Sequence, residues 1–177
     1  MRVSARADYA IRAAAELAVA GDALLKRDVI AERQEIPLEF LESVLLSLKY
    51  VGIVQSQRGA GGGFRLARPA TEISLADIVR AVDGPISDVR GDRAELVAYT
   101  GPARHLQEIW IAVRASLRQI LEETSLDDLV RGKLPKHVRQ LTEAPEAWTS
   151  LGRIRGAARS RLPRAIRRRI PKPGAAP

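Results

Sequence analysis

Apolar residues recur along the chain at helical intervals. Val3, Ala7, Ala10, Ala14 and Leu17 are separated by 4, 3, 4 and 3 residues, which is one face of a helix. Ser4 supplies an N-cap and Gly21-Asp22 a stop. A short second helix is predicted over 26–33, around Val29 and Ile30. Pro37 suits the first turn of a third helix. In that helix Leu41, Val44, Leu45, Leu48 and Val51 form the apolar stripe, with Glu39, Glu42, Ser43 and Lys49 off it and Gly52 as its end. Segments 53–57 and 64–67 read as two short strands. Between them lies Arg58-Gly59-Ala60-Gly61-Gly62-Gly63, a glycine-rich hairpin tip.

Ser74 and Asp77 resemble a capping box, with Asp in place of Glu. They open a fourth helix through Ile78, Val79 and Val82, closed by Gly84-Pro85. Residues 86–101 have weak periodicity and read as a loop. From Pro102 a long helix is predicted, with Leu106, Trp110, Val113, Leu117, Ile120 and Thr124 at intervals of 4, 3, 4, 3 and 4. Ile109 and Leu121 widen this seam, which suits helix-on-helix packing within or between chains. Residues 125–130 read as one more short helix. Beyond Gly132 the chain has six prolines and a growing basic bias, so 132–177 is expected to be disordered.

Composition narrows the chemistry. The absence of cysteine among the 177 residues excludes disulfides, thiolate metal sites and cysteine nucleophiles. There are two histidines, His105 and His137, no histidine–carboxylate spacing and no cofactor fingerprint, so no enzyme is expected. The glycine-rich tip lacks the Lys-Ser/Thr of a P-loop and a strand follows it. No apolar run approaches the ~20 residues that span a bilayer, and the N-terminus has no signal-type apolar stretch. A cytoplasmic protein with no membrane partner is expected.

The net charge of +8 is unevenly placed. Residues 153–177 hold nine basic side chains and no acid, whereas the remainder holds 20 basic and 21 acidic groups. Three readings of this tail stand side by side. It is a solvated tail, a tether that touches phosphates non-specifically, or a short amphipathic helix with Leu162, Ile166 and Ile170 on one face.

The order helix, short helix, helix and glycine-tipped hairpin is the layout of a winged helix-turn-helix. The fold class expected is mainly α with a small β-hairpin wing, followed by a long helix. The division is 1–85 for the winged unit, 86–101 for the loop, 102–131 for the long-helix region, which the family resemblance given below makes the dimerisation helix, and 132–177 for the tail. In such a layout the third helix offers its N-terminal polar side chains to base edges. Glu39 and Glu42 either accept from cytosine amino groups or are solvated acids. Arg58 is placed to enter a narrow minor groove, whose negative potential favours a guanidinium. Gly59, Gly61 and Gly62 let backbone N–H groups approach phosphates, or form a bare turn.

These residues together resemble the Rrf2 family of transcriptional regulators. The resemblance rests on Ser4-Ala-Arg-Ala-Asp8-Tyr9-Ala10-Ile11-Arg12-Ala13, on Ile30 to Pro37 with Phe40-Leu41-Glu42, and on Arg58 to Ala67. It continues through Ile73-Ser74-Leu75, Ala81 to Pro85, Ile109-Trp110 and Thr124 to Asp128. It implies a homodimeric regulator, a repressor in the reading adopted, that binds double-stranded DNA at a pseudo-palindrome. By that resemblance Glu39, Glu42, Ser43 and Arg58 contact DNA, Ser4 and Tyr9 face the phosphate backbone, and the long helices of two copies cross along Leu106, Trp110, Val113, Leu117 and Ile120. Many relatives hold an iron–sulfur cluster on three cysteines before the long helix. Residues 87–105 here contain none, so no cofactor is expected. Asp8 matches a position that supplies a non-cysteine ligand in some members, and reads here as a helix-surface acid. His105 reads as a polar residue at a helix start. Tyr99 and Trp110 leave open a small-molecule pocket, with dimer packing the preferred role for Trp110. The alternative function is a regulator whose DNA binding is set by a partner protein docked on 86–104.

Overall fold

The computed structural model of the protein describes residues 3–148; the basic tail and the readings placed on it lie outside the described residues. Seven helices and one hairpin are seen among them: α1 (Ala5–Ala20), α2 (Arg27–Gln34), α3 (Leu38–Tyr50), β1 (Val54–Gln57), β2 (Gly63–Leu66), α4 (Leu75–Asp83), α5 (Leu106–Glu122), α6 (Leu126–Arg131) and α7 (Lys136–Glu143). Single 3-10 turns occupy Ala70–Glu72, Ala94–Leu96, Gly101–Ala103 and Pro145–Trp148. Among the described residues, those up to Pro135 form one compact unit and those from Lys136 to Trp148 belong to another.

α1 is the centre of the first unit. Its buried face is Ala7, Ala10, Ala13, Ala14 and Leu17. Short side chains let neighbouring helices approach closely, and α1 packs on α2, α3, α4, α6 and β2. The stripe Leu41, Val44, Leu45 and Leu48 of α3 closes on this face with Ile30, Ile53, Ile73, Ile78 and Leu126. Two residues of the predicted stripes fall outside. Val3 precedes the Ser4 cap and is 81% exposed, and Val51 follows the last turn of α3 and is also exposed. Periodicity marks a face, but the cap decides where the helix begins to present it.

The hairpin is antiparallel, with Gln55 opposite Arg65 and Ser56 opposite Phe64. Its outer edge is joined by Leu25, which exchanges two backbone hydrogen bonds with Phe64 at 2.9 and 2.8 Å. The wing is thereby stitched to the segment between α1 and α2.

The predicted capping box at Ser74 and Asp77 is present. A second, at Ser125 and Asp128, starts α6. The two helix starts pair with each other: the Leu75 N–H donates to the Thr124 carbonyl at 2.9 Å, and the Leu126 N–H to the Ile73 carbonyl at 2.8 Å. This pairing and the burial of Leu126 return the chain to α1 after the long helix.

Two expectations are corrected. The long helix starts at Leu106, because Gly101–Ala103 forms a separate 3-10 turn around Pro102. Within 132–177, where disorder is expected, residues Lys136–Glu143 form α7. Pro135 stands just before that helix, where its fixed φ favours a start, and Val138 and Leu141 lie three residues apart on one face.

Candidate nucleic-acid interface

The stripe that α3 buries fixes what it shows. Opposite the stripe, Glu39, Glu42, Ser43, Leu46 and Tyr50 are all exposed. The preceding turn is shaped by Glu35, in the left-handed conformation at φ 49°, and by buried Ile36, whose N–H donates to the Ala31 carbonyl at 3.0 Å. This turn sets α3 against α2.

Glu42 is not a lone acid. Arg27 of α2 reaches its carboxylate at 3.2 Å and also approaches Asp28 at 3.5 Å. Arg27 therefore brings a cation to the edge of α3, a placement that its distance in sequence hides. Lys49 donates to the Ser56 hydroxyl of β1 at 2.7 Å, and Arg6 of α1 donates to the Ser47 hydroxyl at 3.3 Å. α3 thus carries cations along both flanks.

Ser4 accepts from the Ala7 N–H at 2.9 Å and donates to the Asp83 carboxylate. Its hydroxyl caps α1 and ties it to the end of α4. Tyr9 is half-buried and meets Phe40 edge-on, with ring centroids 6.1 Å apart. Arg12 lies over the Tyr9 ring at 5.8 Å and donates to the Gln34 side chain at 3.1 Å and to the Gln34 carbonyl. These bonds lock α1 to the end of α2, and sequence spacing gives no sign of them.

Arg58 is exposed at the hairpin tip. The tip closes by a bond from the Gly62 N–H to the Gly59 carbonyl at 2.9 Å. Gly59 has φ +107°, which L side chains rarely adopt. At Gly62 a Cβ would lie 2.3 Å from the Gln57 carbonyl oxygen. Gly61 has open space around it. At least two of the glycines are therefore demanded by the turn itself.

The remaining candidates do not gather into a site. Asp8 is exposed and paired with Arg12 at 3.1 Å. His105 accepts from Arg104 at 3.0 Å and lies 3.5 Å from Glu108. Among the described residues no three His, Asp or Glu side chains form a metal-binding group.

α5 carries the proposed seam. It packs on α4 and on the Ala94–Leu96 turn, yet none of its 17 residues is fully buried within the chain. Leu106, Val113, Leu117 and Ile120 are half-covered, and Trp110 is 38% exposed. Polar pairs fix its position. Arg80 and Arg118 both bond Glu122 and hold its carboxyl below the usual range, Arg80 most strongly. Arg114 does the same for Glu95. At the start of α6 the Ser125 hydroxyl, then its N–H, lowers Asp128.

A sequence profile of Rrf2, described as iron-dependent transcriptional regulators, matches residues 3–132. The chain belongs to the Rrf2 family. The Mycobacterium tuberculosis protein Rv1287 is 46% identical over 151 residues, which cover 85% of this chain and 94% of that one. The regulator IscR of Cereibacter sphaeroides is 30% identical, over 76% of this chain and 90% of its own. The structure of CymR, titled the global cysteine regulator of B. subtilis, superposes with a TM-score of 0.64 at 31% identity, covering 74% of this chain and 97% of that one.

As an Rrf2 member the chain is a transcriptional regulator with a DNA-binding winged fold, in a family of regulators and not of enzymes. No helix among its described residues is long and apolar enough to cross a membrane. The iron in the family description meets a donor set that does not fit an iron–sulfur cluster. Such a cluster is held by cysteine thiolates, and this Rrf2 chain has no cysteine in its 177 residues.

Proposed function

We infer that the chain acts as a homodimer on a pseudo-palindromic operator, as a repressor and without an iron–sulfur cluster. One observation carries the DNA reading. The face of α3 opposite the core is uncovered, it is flanked by cations, and β1 packs on α3 and leads into the tip with Arg58. In this reading Glu39, Glu42 and Ser43 face base edges and Arg58 enters the minor groove. Gly59, Gly61 and Gly62 bring tip backbone to phosphates, and Ser4 and Tyr9 lie toward the sugar–phosphate backbone. Repression follows from occupancy, because a dimer seated on promoter DNA excludes other proteins from that surface.

The dimer reading is supported by α5. In this reading α5, with an apolar residue at every third or fourth position and no fully buried side chain among the described residues, is half an interface. A second copy supplies the other half through the same patch, as two-fold symmetry requires. The test is a mobility shift of the full-length protein with promoter DNA beside its own gene, read together with sedimentation. A shifted species containing two chains is expected. Monomeric protein, or no shift above that of random DNA, contradicts the reading.

A further inference from the structure

The ridge of α3 that points away from the core is not uniformly polar. Glu39, Ser43, Leu46 and Tyr50 follow at intervals of 4, 3 and 4 residues, so they line one edge of the helix. The first two are polar, but Leu46 is 59% exposed and Tyr50 is 92% exposed. On a solvated helix this is where charge is expected. Single exposed leucines are ordinary; what marks this one is its surroundings.

Leu46 sits one turn beyond Ser43, about 4.5 Å further along the axis. Lys49, held by Ser56, lies to one side of the ridge, and Arg6, held by Ser47, to the other. An apolar strip between two cationic flanks complements one surface in particular. The major groove has thymine methyl groups on its floor and phosphates along both walls. A protein partner would need an apolar strip edged by acids; a duplex offers both features by construction.

We propose that Leu46 is a specificity-determining residue that packs against a thymine C5-methyl group in the major groove, an inference that rests on the DNA-binding reading above. Glu39, Glu42 and Ser43 then read polar edges in the first turns of α3, and Leu46 reads a methyl in the next. The half-site carries a thymine at the corresponding step.

The test uses duplexes selected from a random-sequence library by the full-length protein. Each thymine of the half-site is replaced in turn by deoxyuridine, which removes the methyl and leaves base pairing intact. At one position the replacement should weaken wild-type binding about fourfold, the scale of one buried methyl. Leu46→Ala should weaken binding to the parent duplex and show no further loss on the uracil duplex. That non-additivity identifies the contact. Leu46 is exposed, so the variant should melt with the wild type. Uniform indifference to uracil, or an equal loss in wild type and variant, overturns the inference while DNA binding stands. If no sequence is enriched at all, the DNA-binding reading fails and this inference with it.

Discussion

Arg58 and Glu42 show how different two charged residues of the proposed interface are in the free protein. Arg58 is exposed at a tip with no packing role, whereas Glu42 is already held by Arg27. Arg58→Ala should therefore leave the melting temperature unchanged and weaken specific DNA binding by about 1–3 kcal/mol. Anisotropy titrations on a selected duplex measure this, and unchanged affinity would remove Arg58 from the contacts. The exposed place of Arg58 is legible from the glycine-rich tip around it, and its contact with DNA is the proposal that this titration tests. The Arg27–Glu42 pair was not legible, since it joins side chains that only the turn at Glu35 brings together. Leu46 and Tyr50 left a readable signal, the spacing opposite the stripe, but burial had to be known before their exposure had meaning.

α6 is the element whose contribution most exceeds its length. It has six residues, yet Leu126 is fully buried against α1 and its start pairs with that of α4. Leu126→Ala should cost about 2–5 kcal/mol of stability in a denaturant melt. A loss below about 1 kcal/mol would mean that the site collapses around the gap. The same region sets an acid response. Asp128, Glu122 and Glu95 are each held below the usual carboxylate range in the folded chain. A depressed folded value stabilises above the unfolded value and is lost as pH falls through it. The melting temperature should thus be flat from neutrality to about pH 5 and fall below about pH 4. Asp128→Asn should shallow that fall, and an identical profile would show that the cap charge does not contribute. The helices themselves were largely legible, because periodicity and caps are local. The two bonds between Leu25 and Phe64 and the meeting of the two capping boxes were not, being contacts between distant segments. α7 is not legible from the six prolines and basic bias beyond Gly132, because one of those prolines, Pro135, stands at a helix start.

For the molecule as a whole, the proposed dimer joins two copies through α5 and seats two winged units on one duplex. Leu117→Asp should give monomers or insoluble protein in sedimentation, because an unpaired charge in an apolar interface costs several kcal/mol. A variant that sediments as a dimer would place the interface elsewhere. The seam is readable as a spacing of 4 and 3, which fits packing within or between chains, and the incomplete burial of α5 is what supports the proposal that it joins two chains. The proposal is that this cysteine-free Rrf2 chain reads DNA as a two-fold dimer with no cluster. Its most direct test is to purify the full-length protein under anaerobic conditions, confirm its iron content, and select duplexes from a random library. Iron-free protein that enriches a pseudo-palindrome with half-sites about one helical turn, or a multiple of it, apart is expected. Stoichiometric iron required for binding, or enrichment of no symmetric sequence, would contradict it.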